Sequence, residues 1–462
     1  MYSNTKAENI IMLKSIYTCT NCGSTTTKWY GRCPSCGEWN TLEESTVEVG
    51  KKSSSNTAKG GSVRTVPLSE VDGIEEIRYT TGIDELDRVL GGGIVKGAVV
   101  LLGGEPGSGK STLLLQMCSH VCETATVLYV SGEESARQIK LRANRLGVDS
   151  NQLLIANETN VEKINTLIQN EKPDLCIIDS IQTMEIEGVT SSAGSIVQVR
   201  ESASALTRTA KSLGIPIFIV GHVNKDGAIA GPKVMEHIVD TVLYIEGDRY
   251  LALRVLRSVK NRFGSTNEIG IFDMTDKGLV PVPNPSMILL EGRNDSLSGS
   301  CLTCIMEGTR PIVAEIQALT SKTAFSVPRR TADGYDYNRA NLIIAVLEKR
   351  AGYYISGLDV YLNVTGGIRL DETASDLAVA FSIISSVLDK TLPSGTVAFG
   401  EIGLGGEVRS VRDPSIRVHE LEKLGFDTCI LPNANLKKLD RKDYHINLIG
   451  VSTVKELSKL LK

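Results

Sequence analysis

A glycine-rich octapeptide is the part of this 462-residue chain whose residue types most directly indicate chemistry. An apolar run precedes it and a helical stretch follows it, which is the context that a P-loop requires. Backbone N–H groups of such a loop turn toward phosphates, with the positive end of a helix behind them. A simple glycine turn between strand and helix is the alternative, and the complete pattern favours nucleotide binding. The predicted nucleotide-binding residues are Gly104, Glu105, Pro106, Gly107, Ser108, Gly109, Lys110, Ser111 and Thr112.

Two of these residues have specific expected roles. Lys110 is predicted to neutralise the β and γ phosphates of ATP, and Ser111 to supply a hydroxyl to Mg²⁺. A P-loop site also needs a carboxylate for the metal, and Asp179 follows the apolar run 175–178. An acid in that place can be only a helix cap, but beside a P-loop it is predicted to bind magnesium.

A hydrolytic water needs a group that orients it, and two acids follow the predicted strand 126–130. Glu133 is predicted to position this water, because it reaches the same sheet edge as the P-loop. Acids at a helix N-terminus are also stabilised by the helix dipole, and this second interpretation applies to Glu134 above all.

Four cysteines near the amino terminus form two Cys-x2-Cys pairs separated by ten residues: Cys19, Cys22, Cys33 and Cys36. Four thiolates at this spacing suit tetrahedral Zn²⁺, and neighbouring glycines permit tight turns around the sulfurs. A short segment cannot bury enough apolar area alone, so zinc is expected to stabilise its fold. A second motif, Cys301-x2-Cys304, has no partner pair and is interpreted as structural.

Alternating apolar runs and amphipathic stretches predict an α/β domain with a mainly parallel sheet around the P-loop. Helices are predicted to begin at Ser111, Ser135 and about Gln198. The predicted strands are 98–102, 126–130, 175–178 and 215–220, with a hairpin formed by 241–245 and 251–258.

Chain length and the presence of linker-like segments predict more than one domain, since 462 residues exceed the roughly 150 of a typical domain. Residues 51–62 are polar and predict a flexible linker, while the proline-rich segment 281–285 predicts a boundary. Beyond that boundary a further α/β domain is expected. Its predicted strands include 312–318 and 367–370, and its predicted helices are 338–351 and 374–388.

Composition limits the functional classes. The chain has 41% hydrophobic and 23% charged residues, which is ordinary globular usage. Its formal charge of −4 excludes a chain-wide basic field, so nucleic-acid binding must be local. No apolar run approaches the roughly 20 residues that span a bilayer. No membrane association and a cytoplasmic location are therefore expected.

Several motifs together resemble the RadA (Sms) family of bacterial DNA repair proteins. The similar residues are the zinc segment with 29–36 and 39–41, the stretch 81–93 before the P-loop, and Lys260-Asn261-Arg262-Phe263-Gly264. The resemblance begins near Lys14, and Met12 would serve as an initiator, so residues 1–13 are interpreted as an extension. It implies a zinc finger at 14–42, a linker at 43–65, a RecA-like ATPase domain at 66–282, and a Lon-protease-like domain at 283–462.

The resemblance implies a homo-hexameric, DNA-dependent ATPase that binds single-stranded and branched DNA and drives branch migration with the RecA recombinase. In RecA-like rings ATP lies between subunits, so a neighbour's basic residue can complete the site. Lys260 and Arg262 match the family motif and are the candidates to contact nucleotide, DNA or both. A nucleotide-gated scaffold for recombination proteins, without motor activity, is the alternative.

The RecA-like fold also implies DNA-contacting loops at the inner face of a ring. The segments 185–198 and 224–233 fit by position, and Lys225 and Lys233 are the predicted DNA-binding residues of the second. Ordinary surface loops remain the alternative. His222 ends the strand before that loop, where related ATPases carry a γ-phosphate sensor, although a structural role is equally compatible.

A Lon-like domain raises the question of a Ser-Lys peptidase. The position of the nucleophile is Ala374, with Ser375 one residue away, which on a helix rotates the side chain by about 100°. The position of the lysine is Ser415. Both catalytic residues are absent, so a platform that supports the hexamer or binds DNA is expected instead of a protease.

Overall fold

The computed structural model describes residues 12–19, 25–34, 37–49, 78–222, 232–247, 253–294 and 296–462. Two compact units divide these residues. The first unit comprises the described residues within 1–247, 254–266 and 272–281, and the second those within 248–253, 267–271 and 282–462. No helix in the described part of the chain is long and apolar enough to cross a membrane.

A small antiparallel sheet forms the amino-terminal segment, in the order β2-β1-β3. Its strands are β1 (Met12–Cys19), β2 (Thr25–Thr26) and β3 (Leu42–Val49). Met12 pairs with Val49 and Cys19 with Leu42, so the whole of β3 lies along β1. The prediction of a linker from residue 43 is wrong for 43–49, because β-branched residues in this stretch favour an extended strand when a partner is available. The predicted linker 51–62 lies outside the described residues.

The first unit is built around a nine-stranded sheet, in the order β14-β13-β12-β11-β6-β10-β9-β7-β8. The six neighbouring strands β11, β6, β10, β9, β7 and β8 pair in parallel, whereas β12 pairs with β11 in the antiparallel direction. Its elements are β4 (Arg78–Tyr79), α1 (Asp84–Leu90), β5 (Ile94–Val95), β6 (Val99–Gly104), α2 (Lys110–Val121), β7 (Val127–Ser131), α3 (Ala136–Arg145), β8 (Leu153–Asn157), α4 (Val161–Glu171), β9 (Leu175–Asp179), α5 (Ile196–Leu213), β10 (Ile217–His222), α6 (Pro232–Met235), β11 (Thr241–Glu246), β12 (Leu253–Asn261), β13 (Ile269–Thr275) and β14 (Gly278–Pro281).

Residues on the two faces of this sheet form separate hydrophobic layers. Leu102 and Phe218 pack on one face with residues of α2, and Leu101 and Ile178 pack on the other with residues of α4 and α5. Central parallel strands buried on both faces produce the continuous apolar runs from which the strands were predicted. The α/β fold class and its mainly parallel sheet are confirmed.

The second unit contains a seven-stranded mixed sheet, in the order β17-β18-β16-β15-β19-β22-β23, and the small pair β20-β21. Its elements are α7 (Pro285–Leu289), β15 (Ser300–Glu307), β16 (Arg310–Lys322), β17 (Arg330–Asp333), α8 (Tyr337–Val346), β18 (Leu358–Val364), α9 (Asp376–Leu388), β19 (Thr396–Ala398), β20 (Glu401–Ile402), β21 (Val408–Arg409), α10 (Pro414–Lys423), β22 (Thr428–Pro432), α11 (Asn433–Leu436) and β23 (Asn447–Val451).

One predicted strand of the second unit is wrong. Residues 367–370 contain the end of a 3-10 turn at Thr365–Gly367 and a single bridge from Leu370 to Tyr335. Gly366 has φ +72°, a left-handed conformation that interrupts an extended chain. The predicted helix 338–351 is present as α8 followed by a π-helical turn, Leu347–Ala351.

Candidate active site

The phosphate-binding loop lies between β6 and α2, where the glycines make the conformation possible. Gly109 caps α2 with φ +103°, and an added Cβ there would lie 2.7 Å from Cε of Met274. Gly104 ends β6 with φ +158°, and a Cβ there would lie 2.7 Å from the carbonyl oxygen of Ile245. A side chain at Gly104 would clash with backbone, and the positive φ at both positions disfavours other residues, so the loop geometry depends on glycine.

Lys110 is buried at the start of α2 although it carries a charge. Its Nζ donates to the carbonyl oxygens of Gly104 and Glu105, both at 2.9 Å. Burial lowers the pKa of Lys110 to about 8, and the negative charges of Asp179 and Glu133 act in the opposite direction. A lysine held against its own loop by neutral carbonyls is available to an anion that offers a stronger partner.

Asp179 ends β9 at the same sheet edge as the P-loop. Strand register aligns Asp179 with Ser131 of β7, and Gly104 with His222 of β10. Its carboxylate is buried and accepts a 2.5 Å hydrogen bond from the hydroxyl of Tyr129. Because burial raises the pKa of Tyr129 well above its ordinary value, this hydroxyl remains a donor. Tyr129 thereby orients the carboxylate, a role that the apolar run around it did not reveal.

Glu133 is the acid that faces the loop residues. Its Oε1 accepts a hydrogen bond from Oγ of Ser180 and lies 3.4 Å from Nε2 of His222. The contact with His222 has the largest effect on the pKa of Glu133, and the contact with Ser180 adds to it. Together they lower this pKa to about 2, although burial acts in the opposite direction. Glu134 instead forms an ion pair with Arg142. The two neighbouring acids therefore have different partners, those of Glu133 at the P-loop edge of the sheet and that of Glu134 on α3.

Three buried polar atoms around this edge have no hydrogen-bond partner within the described ranges: Oγ of Ser108, Nδ1 of His222 and Oε1 of Gln182. Gln182 also donates from Nε2 to the carbonyl of His222 at 3.2 Å. Buried polar groups are normally satisfied, so an unpaired set beside a P-loop fits a polar ligand such as a triphosphate. Neither Gln182 nor Ser180 carried a motif that could have identified it.

Lys260 and Arg262 lie at the opposite edge of the sheet. Lys260 pairs with Val242 and Asn261 with Thr241, and Thr241 pairs with Val100 near the amino end of β6. The P-loop begins at the carboxyl end of the same strand, at Gly104. Four residues at about 3.3 Å each separate the two levels by roughly 13 Å. Within one chain these cations are therefore remote from the phosphate loop.

Lys260 and Arg262 have different local contacts. Nζ of Lys260 donates to the carbonyls of Glu236 at 2.6 Å and Val239 at 2.9 Å. Nη1 of Arg262 lies 3.7 Å from Oδ1 of Asp240, and its side chain is 54% exposed. Lys260 is thus held by its own subunit, while much of the Arg262 side chain faces outward.

The predicted DNA loops are only partly described. Lys225 lies outside the described residues, and Lys233 lies within α6. The segment before α5 is attached through the amide of Gln198, which donates to the carbonyls of Val189 at 3.1 Å and Ser191 at 3.0 Å. α5 itself begins at Ile196.

Two of the four predicted zinc ligands can be located. Cys19 at the end of β1 and Cys33 are both buried and pack with Leu42. Sγ of Cys19 lies 3.1 Å from Oγ1 of Thr41. Cys22 and Cys36 lie outside the described residues. Buried thiols on a small sheet fit a structural metal, because thiolates are the usual ligands of structural zinc.

The peptidase positions of the second unit hold no reactive pair. Ala374 is buried, and Oγ of Ser375 donates to the carbonyl of Glu372 at 2.7 Å. Ser415 is exposed near the start of α10. A buried cation, Arg417, forms an ion pair with Glu372 beside this segment. The arrangement is a structural charge pair.

Strand, glycine loop, helix and acidic residues at one sheet edge define a P-loop ATPase with an α/β core. DNA repair protein RadA of Bacillus subtilis is 51% identical over 450 residues, which cover 96% of this chain and 97% of that protein. RadA of Halalkalibacterium halodurans is 50% identical over 446 residues, with the same two shares. The chain belongs to the RadA family of bacterial DNA repair proteins.

Family matches to parts of the chain agree with this assignment. Residues 65–228 match the family described as an AAA domain, and residues 17–44 match a rubredoxin metal binding domain. These matches support ATP and zinc as the ligands of the two parts. A KaiC-like protein of Pyrococcus horikoshii covers 45% of this chain, and 100% of its own chain is covered, at 21% identity with a TM-score of 0.37.

Proposed function

We propose that this RadA-family protein is an ATP-driven DNA motor that binds single-stranded DNA and promotes branch migration of recombination intermediates together with RecA. The observation that carries the proposal is the separation of Lys260 and Arg262 from the P-loop of their own chain. A site that needs these cations can be completed only by another subunit. Such shared sites suit a ring, and the proposed ring is a homo-hexamer.

In the proposed site, residues 104–112 bind the triphosphate and Lys110 neutralises its terminal phosphates. Ser111 and Asp179 would hold Mg²⁺, which would neutralise developing phosphate charge. Glu133 would orient the attacking water from the same sheet edge. Lys260 and Arg262 of a neighbour would stabilise charge on the transferred phosphoryl group and contact DNA with Lys225 and Lys233.

The domain order also forms part of the proposal. The zinc finger at 14–42 would be organised by Cys19, Cys22, Cys33 and Cys36, the ATPase domain would occupy 66–282, and the Lon-like domain at 283–462 would support the ring without peptidase activity. Ala374 and Ser415, where a Ser-Lys dyad would stand, support the last point.

ATP hydrolysis with and without single-stranded DNA, at fixed salt, tests the proposal. We expect DNA to stimulate turnover, Lys110→Ala to abolish it, and Arg262→Ala to remove most of it. Lys140→Ala is the matched control, because Lys140 is an exposed lysine paired with Asp149 on the surface of α3. Slow turnover that DNA does not change would favour the nucleotide-gated scaffold, and normal turnover by Lys110→Ala would exclude this P-loop as the catalytic site.

A further inference from the structure

The zinc finger exposes large aromatic side chains that its fold does not use. The chain contains two tryptophans, and both lie in this segment. Trp29 is 57% exposed, Trp39 is 68% exposed, and Tyr30, the residue after Trp29, is 47% exposed. The described core of the finger is made by Cys19, Cys33 and Leu42 instead. These rings are therefore available to a partner.

The two indole rings lie over one stretch of backbone. A Cβ added to Gly31 would lie 3.7 Å from Cη2 of Trp29 and 3.8 Å from Cζ3 of Trp39. An antiparallel bridge between Arg32 and Trp39, and the hydrogen bond from Asn40 N to Gly31 O at 2.9 Å, hold the two segments together. Glycine at 31 leaves open the space beside both rings.

Cations accompany the rings. Cζ of Arg32 lies 5.9 Å from the centroid of the Trp39 ring, and Nε of Arg32 donates to the carbonyl of Gly37 at 2.6 Å. Lys28 is exposed immediately before Trp29. Aromatic faces interleaved with cations are the combination on which unpaired bases stack while phosphates are neutralised. An acidic protein surface would use the cations but would leave the indole faces without a stacking partner.

We propose that Trp29 and Trp39, flanked by Lys28 and Arg32, form a stacking platform for unpaired bases of single-stranded DNA. This inference rests on the proposed action on DNA and adds a contact outside the ATPase domain. Every base has a π-face, so the platform would bind without sequence preference. Its position in a small folded unit would let the finger hold a strand independently of the nucleotide at the P-loop.

Tryptophan fluorescence tests the platform selectively, because both tryptophans of the 462-residue chain are the proposed contacts. An oligothymidylate is titrated into the protein while its binding is followed separately by the anisotropy of a label on the DNA. We expect tryptophan emission to be quenched in step with binding. Trp39→Ala should weaken affinity about tenfold, or about 1.4 kcal/mol, whereas Trp39→Phe should retain most of it.

Tyr354→Ala is the control, since Tyr354 is an exposed aromatic residue, 74% accessible, in the second unit. It should leave affinity unchanged, and bound zinc measured in each variant confirms that the finger is folded. Saturable binding without any change in tryptophan emission would overturn the platform while leaving the proposed function intact. A failure of DNA to bind at all would overturn both. Unchanged DNA affinity in Trp39→Ala, with emission that responds only to a protein partner, would assign the surface to protein binding.

Discussion

Mixing two inactive variants tests whether Arg262 acts on the nucleotide of a neighbouring subunit. Lys110→Ala has a damaged P-loop and an intact Arg262, and Arg262→Ala has the reverse. The guanidinium of Arg262 lies beside Asp240 at the amino end of β6, while Lys110 follows the carboxyl end. The separation of roughly 13 Å along the strand exceeds a hydrogen bond of about 3 Å severalfold. Each variant alone is therefore expected to be inactive, and a mixture to recover activity.

The size of the recovery follows from counting interfaces in a ring. In a random equal mixture, half of the P-loops are intact and half of the neighbouring arginines are intact. About a quarter of the interfaces then combine both, so turnover should approach about a quarter of the wild-type value. Co-operation between sites around the ring would lower this number without removing the recovery.

The assay is DNA-stimulated ATP hydrolysis after the variants have exchanged subunits, with exchange followed by a fluorescent label on one of them. A mixture of wild type with the double variant Lys110→Ala/Arg262→Ala is the matched control. It should also give about a quarter of wild-type turnover if Arg262 acts between subunits, but about half if it acts within one chain.

Loss of folding would be another explanation for an inactive Arg262→Ala variant, and the contacts of Arg262 predict how large its effect on stability should be. Arg262 is 54% exposed and its contact with Asp240 is 3.7 Å, so its removal should change the free energy of unfolding by less than about 1 kcal/mol. Thermal unfolding checks this value. No recovery at any mixing ratio, despite proven subunit exchange and normal folding, would refute action between subunits.

Two further predictions concern charged residues in the two units. The Michaelis constant for ATP should rise about tenfold between pH 7 and pH 9, because the pKa of Lys110 is lowered to about 8 and only its protonated form neutralises phosphate. The Michaelis constant of Lys110→Arg should not change over this pH range, because arginine stays protonated. A wild-type Michaelis constant that does not change with pH would contradict this assignment. Arg417→Ala should lower the free energy of unfolding of the second unit by about 3–5 kcal/mol in urea denaturation, since it leaves Glu372 without its fully buried partner. Arg369→Ala, at a pair exposed on both sides, should cost less than about 1 kcal/mol, and equal effects of the two substitutions would exclude the buried-pair explanation.

The P-loop and the strands around it could be predicted from sequence because their signals are local. A glycine pattern between an apolar run and a helical stretch covers about twenty consecutive residues, and fully buried parallel strands are continuously apolar. β9 and Asp179 were found in the same way. The spacing of the cysteines is likewise a local signal, and these few residues are enough to predict a metal-binding fold.

Local patterns failed where pairing with a distant segment decides the conformation. β3 extends through residues 43–49 because β1 lies beside it, although this stretch is rich in polar residues. Residues 367–370 looked extended, yet a left-handed Gly366 precedes them and leaves a single bridge. Strand formation depends on the partner as well as on the residues themselves.

Side-chain partnerships at the candidate site also required the tertiary structure. Sequence favoured Glu133 over the adjacent Glu134 but could not name the partners of either, and the fold directs Glu133 to Ser180 and His222 and Glu134 to Arg142. These partners lie directly after β9, at the end of β10 and in α3, which are remote in sequence and meet only through the sheet.

The amino-acid sequence by itself determined the class of chemistry, since nucleotide binding and metal binding follow from residue types at short spacing. Only the tertiary structure decided that Lys260 and Arg262 lie at the sheet edge opposite the P-loop. The physical reason is that strand register and direction set which ends of β6, β11 and β12 coincide, and these are properties of non-local pairing.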